Sequence, residues 1–186
     1  MKTLIYSLLS SVLFLTACNT NPQNQQGSSS DTSTVTKTDI KETQTAGSPI
    51  SGIVSTYLEL KDALAKDNDK GAALSGKALE TAFMNVDPAS LTSEKVKIYN
   101  DIADDAKEHA EHIGANAGNI KHQREHFETL SQDIYELIKA FGAGQKLYVD
   151  HCPMYNNNKG ANWVSQSKKI SNPYLGQSMA SCGTVK

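Results

Sequence analysis

The sequence predicts an all-α fold: an antiparallel up-down four-helix bundle with an irregular C-terminal loop region packed against it. Four amphipathic stretches follow one another along the chain, and turn-forming residues separate each from the next. The connections are short, and short connections between amphipathic helices favour antiparallel neighbours. The bundle and its loop region are expected to form one domain over residues 48–186.

The first two helices are predicted from apolar spacing and from the residues that interrupt it. Apolar side chains recur at helical intervals over residues 50–64 and again over residues 72–86. Asp67-Asn68-Asp69 breaks the first pattern and offers an N-cap for the second helix. Asp87-Pro88 ends the second helix, because proline disfavours helical conformation in the residue before it.

The third and fourth helices are predicted to form a hairpin. The third starts near Thr92, and a short turn bracketed by Gly114 and Gly118 follows it. The fourth starts at Asn119 and ends before Gly142, a residue type common just past helix ends. Gln123 lies on the apolar face of this helix, so we expect its side chain to form hydrogen bonds with the backbone of the packed tail.

Residues 144–186 differ in composition from the helices. Leu147-Tyr148-Val149 is suited to a short extended segment, and turn formers such as Asn156-Asn157-Asn158 follow it. The tail also contains large apolar side chains such as Trp163, which a disordered segment would lack. We therefore expect an irregular loop region that folds against the bundle.

The N-terminus has the pattern of a bacterial lipoprotein signal. Lys2 precedes an apolar run that ends in Leu15-Thr16-Ala17-Cys18, small residues followed by cysteine. This predicts a signal peptide over residues 1–17, a lipidated Cys18 and a flexible polar tether over residues 18–47. An ordinary cleavable signal with a chance cysteine is the alternative. The folded part is expected outside the cytoplasm, in the periplasm, with its lipid anchor in a membrane of the cell envelope.

Charge and motifs exclude several classes of function. The formal net charge is −2 and the sequence has no basic stripe with interleaved aromatic residues, so nucleic-acid binding is not expected. The sequence lacks a Gly-rich phosphate loop, a G-x-S-x-G nucleophile elbow and a C-x-x-C redox pair. It is not expected to be an enzyme.

Two sulfur-bearing segments in the tail are the first candidates for metal ligands. Cys152 lies between His151 and Met154, and Met179 precedes Cys182 by three residues. Thiolate and thioether sulfurs are soft donors that select Cu(I) and Ag(I) over hard cations. Zinc is less suited, because methionine is not a usual zinc ligand.

A disulfide is the alternative interpretation of the same cysteines. Cys152 and Cys182 are the only cysteines left once Cys18 is lipidated, and the expected compartment is oxidising. A bridge that closes a loop of this length would stabilise the fold by roughly 3–4 kcal/mol in the chain-entropy treatment. The methionines would then contribute only packing.

Four of the five histidines gather at the predicted hairpin. His109 and His112 are near the end of the third helix, and His122 and His126 are near the start of the fourth. His122 and His126 are four residues apart, so they share a helical face, and this arrangement suits a transition metal. The alternative is a solvated polar face, which is also the interpretation given to Arg124 and the neighbouring acidic residues.

These segments together resemble a bacterial domain family of unknown function. That family occurs in small envelope proteins and fused to adaptor subunits of copper- and silver-type heavy-metal efflux pumps. The resemblance covers about residues 50–185, and its matching segments are His109-Ala110-Glu111-His112-Ile113, His122-Gln123-Arg124-Glu125-His126-Phe127, Cys152-Pro153-Met154, Trp163, Asn172-Pro173-Tyr174 and Cys182-Gly183. The resemblance implies a helical domain that handles heavy metal, copper foremost, and that docks with an efflux system.

The leading hypothesis is therefore a lipoprotein that binds Cu(I) for sequestration or for transfer to efflux, with silver or zinc as alternative ions. The rival hypothesis is a non-catalytic structural or interaction module closed by a Cys152–Cys182 disulfide. The predicted metal ligands are Cys152, Met154, Met179, Cys182, His151, His126, His122 and His112.

Overall fold

The structure, a computed structural model, describes residues 47–186. The predicted signal peptide, the lipidated Cys18 and the tether up to residue 46 lie outside these residues. Four long helices come first, and a small sheet follows. The elements are α1 (Ser51–Ala65), α2 (Asp69–Met84), α3 (Ser93–Ala115), α4 (Ile120–Phe141), β1 (Tyr148–Cys152), α5 (Tyr155–Asn158), β2 (Ala161–Ser165) and β3 (Thr184–Val185), with 3₁₀ turns at Pro88–Ser90 and Gly176–Met179.

The four long helices begin and end where local sequence signals place them. Asn68, Thr92 and Asn119 are the N-caps of α2, α3 and α4, and each side-chain oxygen accepts a hydrogen bond from the backbone N–H three residues later. Gly142 ends α4 with a φ of +75°, a left-handed conformation that favours glycine. No helix within residues 47–186 is both long enough and apolar enough to cross a membrane.

Consecutive long helices pack against one another, and their buried faces form the core. Helices α2 and α3 approach closely at Gly76, where an added Cβ would lie 2.8 Å from the backbone nitrogen of Gly114. At the other end of α3, the hydroxyl of Tyr99 donates to the carbonyl of Phe83 at 2.6 Å. The ring of Tyr99 also meets that of Phe141, near the end of α4, at a centroid distance of 6.3 Å.

The tail contains a small three-stranded antiparallel sheet, so the fold is mostly helical rather than all-α. The strand order is β2-β1-β3, with β1 paired to both neighbours. Only the start of β1 was predicted as extended. The strands are short, five residues or fewer, and turn-forming residues surround them, which makes their periodicity weak in the sequence.

Buried aromatic side chains attach the sheet to the helices. The hydroxyl of Tyr57 in α1 accepts a hydrogen bond from the backbone N–H of Val164 in β2 at 3.1 Å. The same hydroxyl lies 2.9 Å from the Ser131 hydroxyl in α4. Farther along the tail, the buried Tyr174 packs its ring on Phe127 at 5.6 Å. The tail therefore shares the core of the long helices.

Two polar residues of α4 have roles that differ from those expected. Gln123 is fully buried, and its Nε2 donates to the carbonyls of Asp69 and Ile113 rather than to the tail. Arg124 is not a solvated surface residue. Its guanidinium donates to the carbonyl of Pro173 at 2.7 Å and to the carboxylate of Asp67, so it ties the tail and the α1–α2 connection to α4.

Candidate metal centre

Three imidazoles converge where α3 ends and α4 begins. The ligand nitrogens of His112, His122 and His126 all lie within 4.8 Å of one another. The rings of His112 and His126 stack with centroids 4.3 Å apart, and Nε2 of His126 lies 3.2 Å from Nε2 of His122. This set of donors suits a transition-metal ion, since imidazole is a ligand for copper, zinc, iron and nickel.

The hairpin itself produces this convergence. The connection between α3 and α4 is only four residues long, and Gly118 turns the chain with a φ of +89°. The Asn119 cap then sets the start of α4, so that His122 and His126 lie one helical turn apart on the side that meets α3. The predicted meeting of the two histidine pairs is what the structure shows.

The environment of His126 keeps its ring in the form that binds metals. Burial lowers the pKa of His126 below its usual value, and the neighbouring His112, His122 and His109 lower it further. A neutral imidazole has a free lone pair, whereas a protonated one has none. The ring is therefore neutral and able to coordinate at neutral pH.

The fourth histidine of the hairpin, His109, contacts the centre without belonging to it. Its Nδ1 lies 2.9 Å from Nδ1 of His126. Its Nε2 lies 3.7 Å from Oδ1 of Asp105 in α3, and Asp105, His109 and Asp133 of α4 each place one donor atom within 4.8 Å of the others. Burial, with the charge of Asp105 adding to it, raises the pKa of Asp133 to about 7.

The sequence patterns do not single out Asp105, His109 or Asp133 as metal ligands. Asp105 belongs to the acidic residues expected on a solvated helix surface. Two spacings could have indicated them: Asp105 precedes His109 by four residues, and Asp133 follows His126 by seven, two helical turns on the same face.

The two tail cysteines also meet, as free thiols. Sγ of Cys152 lies 3.8 Å from Sγ of Cys182. Cys152 is fully buried and Cys182 is partly buried; burial and the neighbouring Cys152 raise the pKa of Cys182, so the thiol form is favoured. Met154 and Met179 are exposed, at 49% and 40%.

His151 lies beside Cys152 in β1, but its side chain has a partner of its own. Nδ1 of His151 is 2.9 Å from Oδ1 of Asn162. Gly160 leaves room for the ring, because a Cβ there would be 2.6 Å from Cε1 of His151. Within residues 47–186, the groups of three or more metal-binding side chains contain no cysteine. The structure thus holds the sulfurs and the hairpin imidazoles in separate clusters.

Comparison with known proteins identifies the family of the four long helices. Residues 53–146 match the family described as "Protein of unknown function (DUF3347)". The chain belongs to this family. The match includes the three imidazoles of the candidate metal centre and ends before β1, so it excludes both sulfur pairs. No curated protein and no solved structure matches the chain.

Proposed function

We propose that this protein binds a copper ion in the cell envelope, and that His112, His122 and His126 hold it. The observation that carries the proposal is the convergence of three imidazole nitrogens within 4.8 Å at the α3–α4 hairpin. Imidazole is a ligand for copper, and the ion expected from the resemblance is Cu(I). Silver and zinc are the alternative ions for the same three donors.

The proposed biological setting follows from the N-terminal sequence and from the resemblance to domains that are fused to efflux adaptors. The Leu15-Thr16-Ala17-Cys18 segment supports lipidation at Cys18 and a membrane anchor. A tethered domain that takes up copper would sequester the ion or pass it to an efflux system. The short helix connections support an up-down arrangement of the four helices, with the metal centre at one end.

The proposal rests on the imidazoles rather than on the mixed sulfur and nitrogen ligands expected from the sequence. The hairpin imidazoles and the tail sulfurs occupy separate clusters, and Met154 and Met179 are exposed. The lowered pKa of His126 favours the neutral form of its ring, which has a free lone pair for a metal ion.

The test compares paired variants by copper uptake under anaerobic conditions. Wild-type protein should retain about one equivalent of Cu(I) against a chelating competitor, and His112→Gln with His122→Gln should abolish this retention. Cys152→Ser with Cys182→Ser is the matched control and should retain copper at the wild-type level. The opposite pattern, with copper lost only from the cysteine variant, would move the site to the sulfurs and overturn the proposal.

A second candidate function has its own observation. The 3.8 Å between Sγ of Cys152 and Sγ of Cys182 places two thiols in contact, so oxidation could close the tail into a structural or interaction module. Mild oxidation should then remove two hydrogen atoms from the intact mass and raise the free energy of unfolding by roughly 3–4 kcal/mol. A mass that stays unchanged under oxidant, or a bridge that leaves stability unaltered, argues against this module.

A further inference from the structure

We propose that one face of the tail docks on an anionic phospholipid surface. This face, hereafter the basic face, consists of the half-buried Tyr148 and three exposed lysines, Lys146, Lys168 and Lys169. The docking rests on the anchoring at Cys18 that is part of the proposed function, but it does not require that the protein binds copper.

The tail differs from the helices in charge. Residues 144–186 contain five lysines and a single acidic residue, Asp150, which is completely buried. Residues 47–143, by contrast, contain sixteen acidic residues and ten basic ones. The surface of the tail is therefore positive on a chain whose formal net charge is −2, and a positive surface attracts an anionic partner.

Tyr148 brings two of the lysines together. The Nζ atoms of Lys146 and Lys168 lie 5.6 Å and 5.8 Å from the centroid of the Tyr148 ring, so both ammonium groups lie against the same aromatic side chain. Tyrosine is enriched where a membrane meets water, and lysines at that depth are attracted to anionic headgroups. The basic face combines both kinds of side chain.

The charge of the basic face is not neutralised by the protein. Among residues 47–186, no carboxylate forms a salt bridge with any of its three lysines. Asp62 contacts Gln166, two residues before Lys168, but its carboxylate is already paired with Lys61. The three ammonium groups can therefore meet the phosphates of a lipid surface.

The tether joins the domain beside the basic face. The hydroxyl of Ser48 donates to the carbonyl of Gly142 at 2.5 Å, and a Cβ at Gly144 would lie 3.4 Å from Cβ of Ser48. Gly144 is two residues from the first lysine of the face. Residues 19–47 connect this point to Cys18, and a flexible chain of that length spans on the order of 30 Å. A lipid on Cys18 would therefore hold the basic face near the membrane at a high effective concentration.

The candidate metal centre lies toward the other end of α4. His122 is in the first turn of this helix, and Phe141, its last residue, precedes the glycine that bonds Ser48. At a rise of about 1.5 Å per residue, His122 and Phe141 are about 30 Å apart along the helix. Docking through the basic face should therefore leave the metal centre away from the membrane surface, where an ion or a partner can reach it.

The three lysines determine the strength of docking. One lysine near an anionic membrane surface strengthens the association about fivefold, so three should strengthen it roughly 100-fold. Salt screens this attraction, because the Debye length falls to about 3 Å in molar salt. Docking should therefore depend on both the lipid charge and the salt concentration.

Lysine acetylation followed by mass spectrometry tests the docking on the full protein purified from membranes. The protein is reconstituted in vesicles of phosphatidylcholine, with or without phosphatidylglycerol. On the anionic vesicles, Lys146 and Lys168 should react at least about fivefold more slowly than on the neutral ones, and molar salt should remove the difference. Lys121, 89% exposed at the start of α4, is the internal control and should react equally on both.

Two double variants test whether the docking depends on these charges. Lys146→Gln with Lys168→Gln should abolish the protection of Lys169 on anionic vesicles, because it removes two of the three charges. Lys70→Gln with Lys121→Gln is the matched control. It removes two charges from exposed positions on the helices and should leave Lys169 protected.

Several results would overturn the docking. Equal reaction rates on anionic and neutral vesicles do so, and so does protection of Lys121 equal to that of Lys146. Protection by polyglutamate but not by anionic vesicles also overturns it and assigns the basic face to an acidic protein partner.

Two further measurements separate the docking from the proposed function. Copper uptake is measured on the same protein, and protection without copper binding supports the docking while the proposed copper binding fails. If the intact mass shows no lipid on Cys18, sedimentation of that protein with the anionic vesicles decides. Binding that disappears in Lys146→Gln with Lys168→Gln then supports the docking, and absence of binding overturns it.

Discussion

Tyr57→Phe should destabilise the protein because it removes the link between the sheet and the helices. The substitution keeps the ring, which stacks on Phe127 at a centroid distance of 5.3 Å, and deletes only the hydroxyl. That hydroxyl accepts from the N–H of Val164 and bonds to the hydroxyl of Ser131. All three groups are buried, so water cannot replace the lost partner.

The magnitude follows from the groups left without partners. Each buried polar group without a hydrogen bond costs about 1–3 kcal/mol. Tyr57→Phe leaves two such groups, the Val164 N–H and the Ser131 hydroxyl, so we expect a loss of roughly 2–6 kcal/mol. Ser131→Ala leaves only the Tyr57 hydroxyl proton unpaired, and we expect a loss of roughly 1–3 kcal/mol.

Urea denaturation monitored by circular dichroism measures these losses. The midpoint should fall while the slope of the free energy against urea concentration stays constant. Combining Tyr57→Phe with Ser131→Ala should cost less than the sum of the two, because both remove the same bond. A loss below about 0.5 kcal/mol for Tyr57→Phe, or strict additivity, would refute this account of the link.

Two further predictions concern helix packing and charge. Gly76→Ala should lower the free energy of unfolding by about 1–2 kcal/mol, because its Cβ would lie 2.8 Å from the backbone of Gly114. The control is Gly52→Ala, which should be neutral or stabilising because its Cβ meets nothing within 4 Å. Equal shifts of the melting temperature in the two variants would contradict this prediction. Arg124 lowers the pKa of Asp67 in the folded protein. The ionised Asp67 therefore stabilises the fold at pH values above its pKa in the unfolded chain, which is about 4. This stabilisation is lost as the pH falls through the lower pKa of the folded state. Asp67→Asn should therefore be less stable than wild type at pH 7, and the difference should shrink as the pH falls below 4. A difference in the free energy of unfolding that does not change with pH would exclude this cause.

The helices were predictable because the residues that determine where each helix begins and ends are close in the sequence to those ends. Asn68, Thr92 and Asn119 each bond a backbone N–H only three residues away, so the signal lies within a few positions of the sequence. The sheet was not predictable in the same way. Strand β3 pairs with residues more than thirty positions earlier in the chain, and no local pattern reports such a pairing.

The candidate site was predictable in part for a similar reason. The histidines meet because one short hairpin joins them, and this was expected from the turn. The separation of imidazoles from sulfurs depends on how the tail packs around α4. His126 faces His109 in α3, whereas Arg124, two residues earlier, contacts Pro173 in the tail. Residues two apart point to different sides of a helix, so the candidate metal centre and the tail lie on different faces of α4.

The choice of ligands is the central claim, and X-ray absorption spectroscopy of the copper-loaded protein tests it most directly. If His112, His122 and His126 hold the ion, the copper edge data will show a first shell of nitrogen with the outer scattering of imidazole rings. A first shell containing sulfur in the wild type, lost in Cys152→Ser with Cys182→Ser, would contradict the claim and place the ion in the tail.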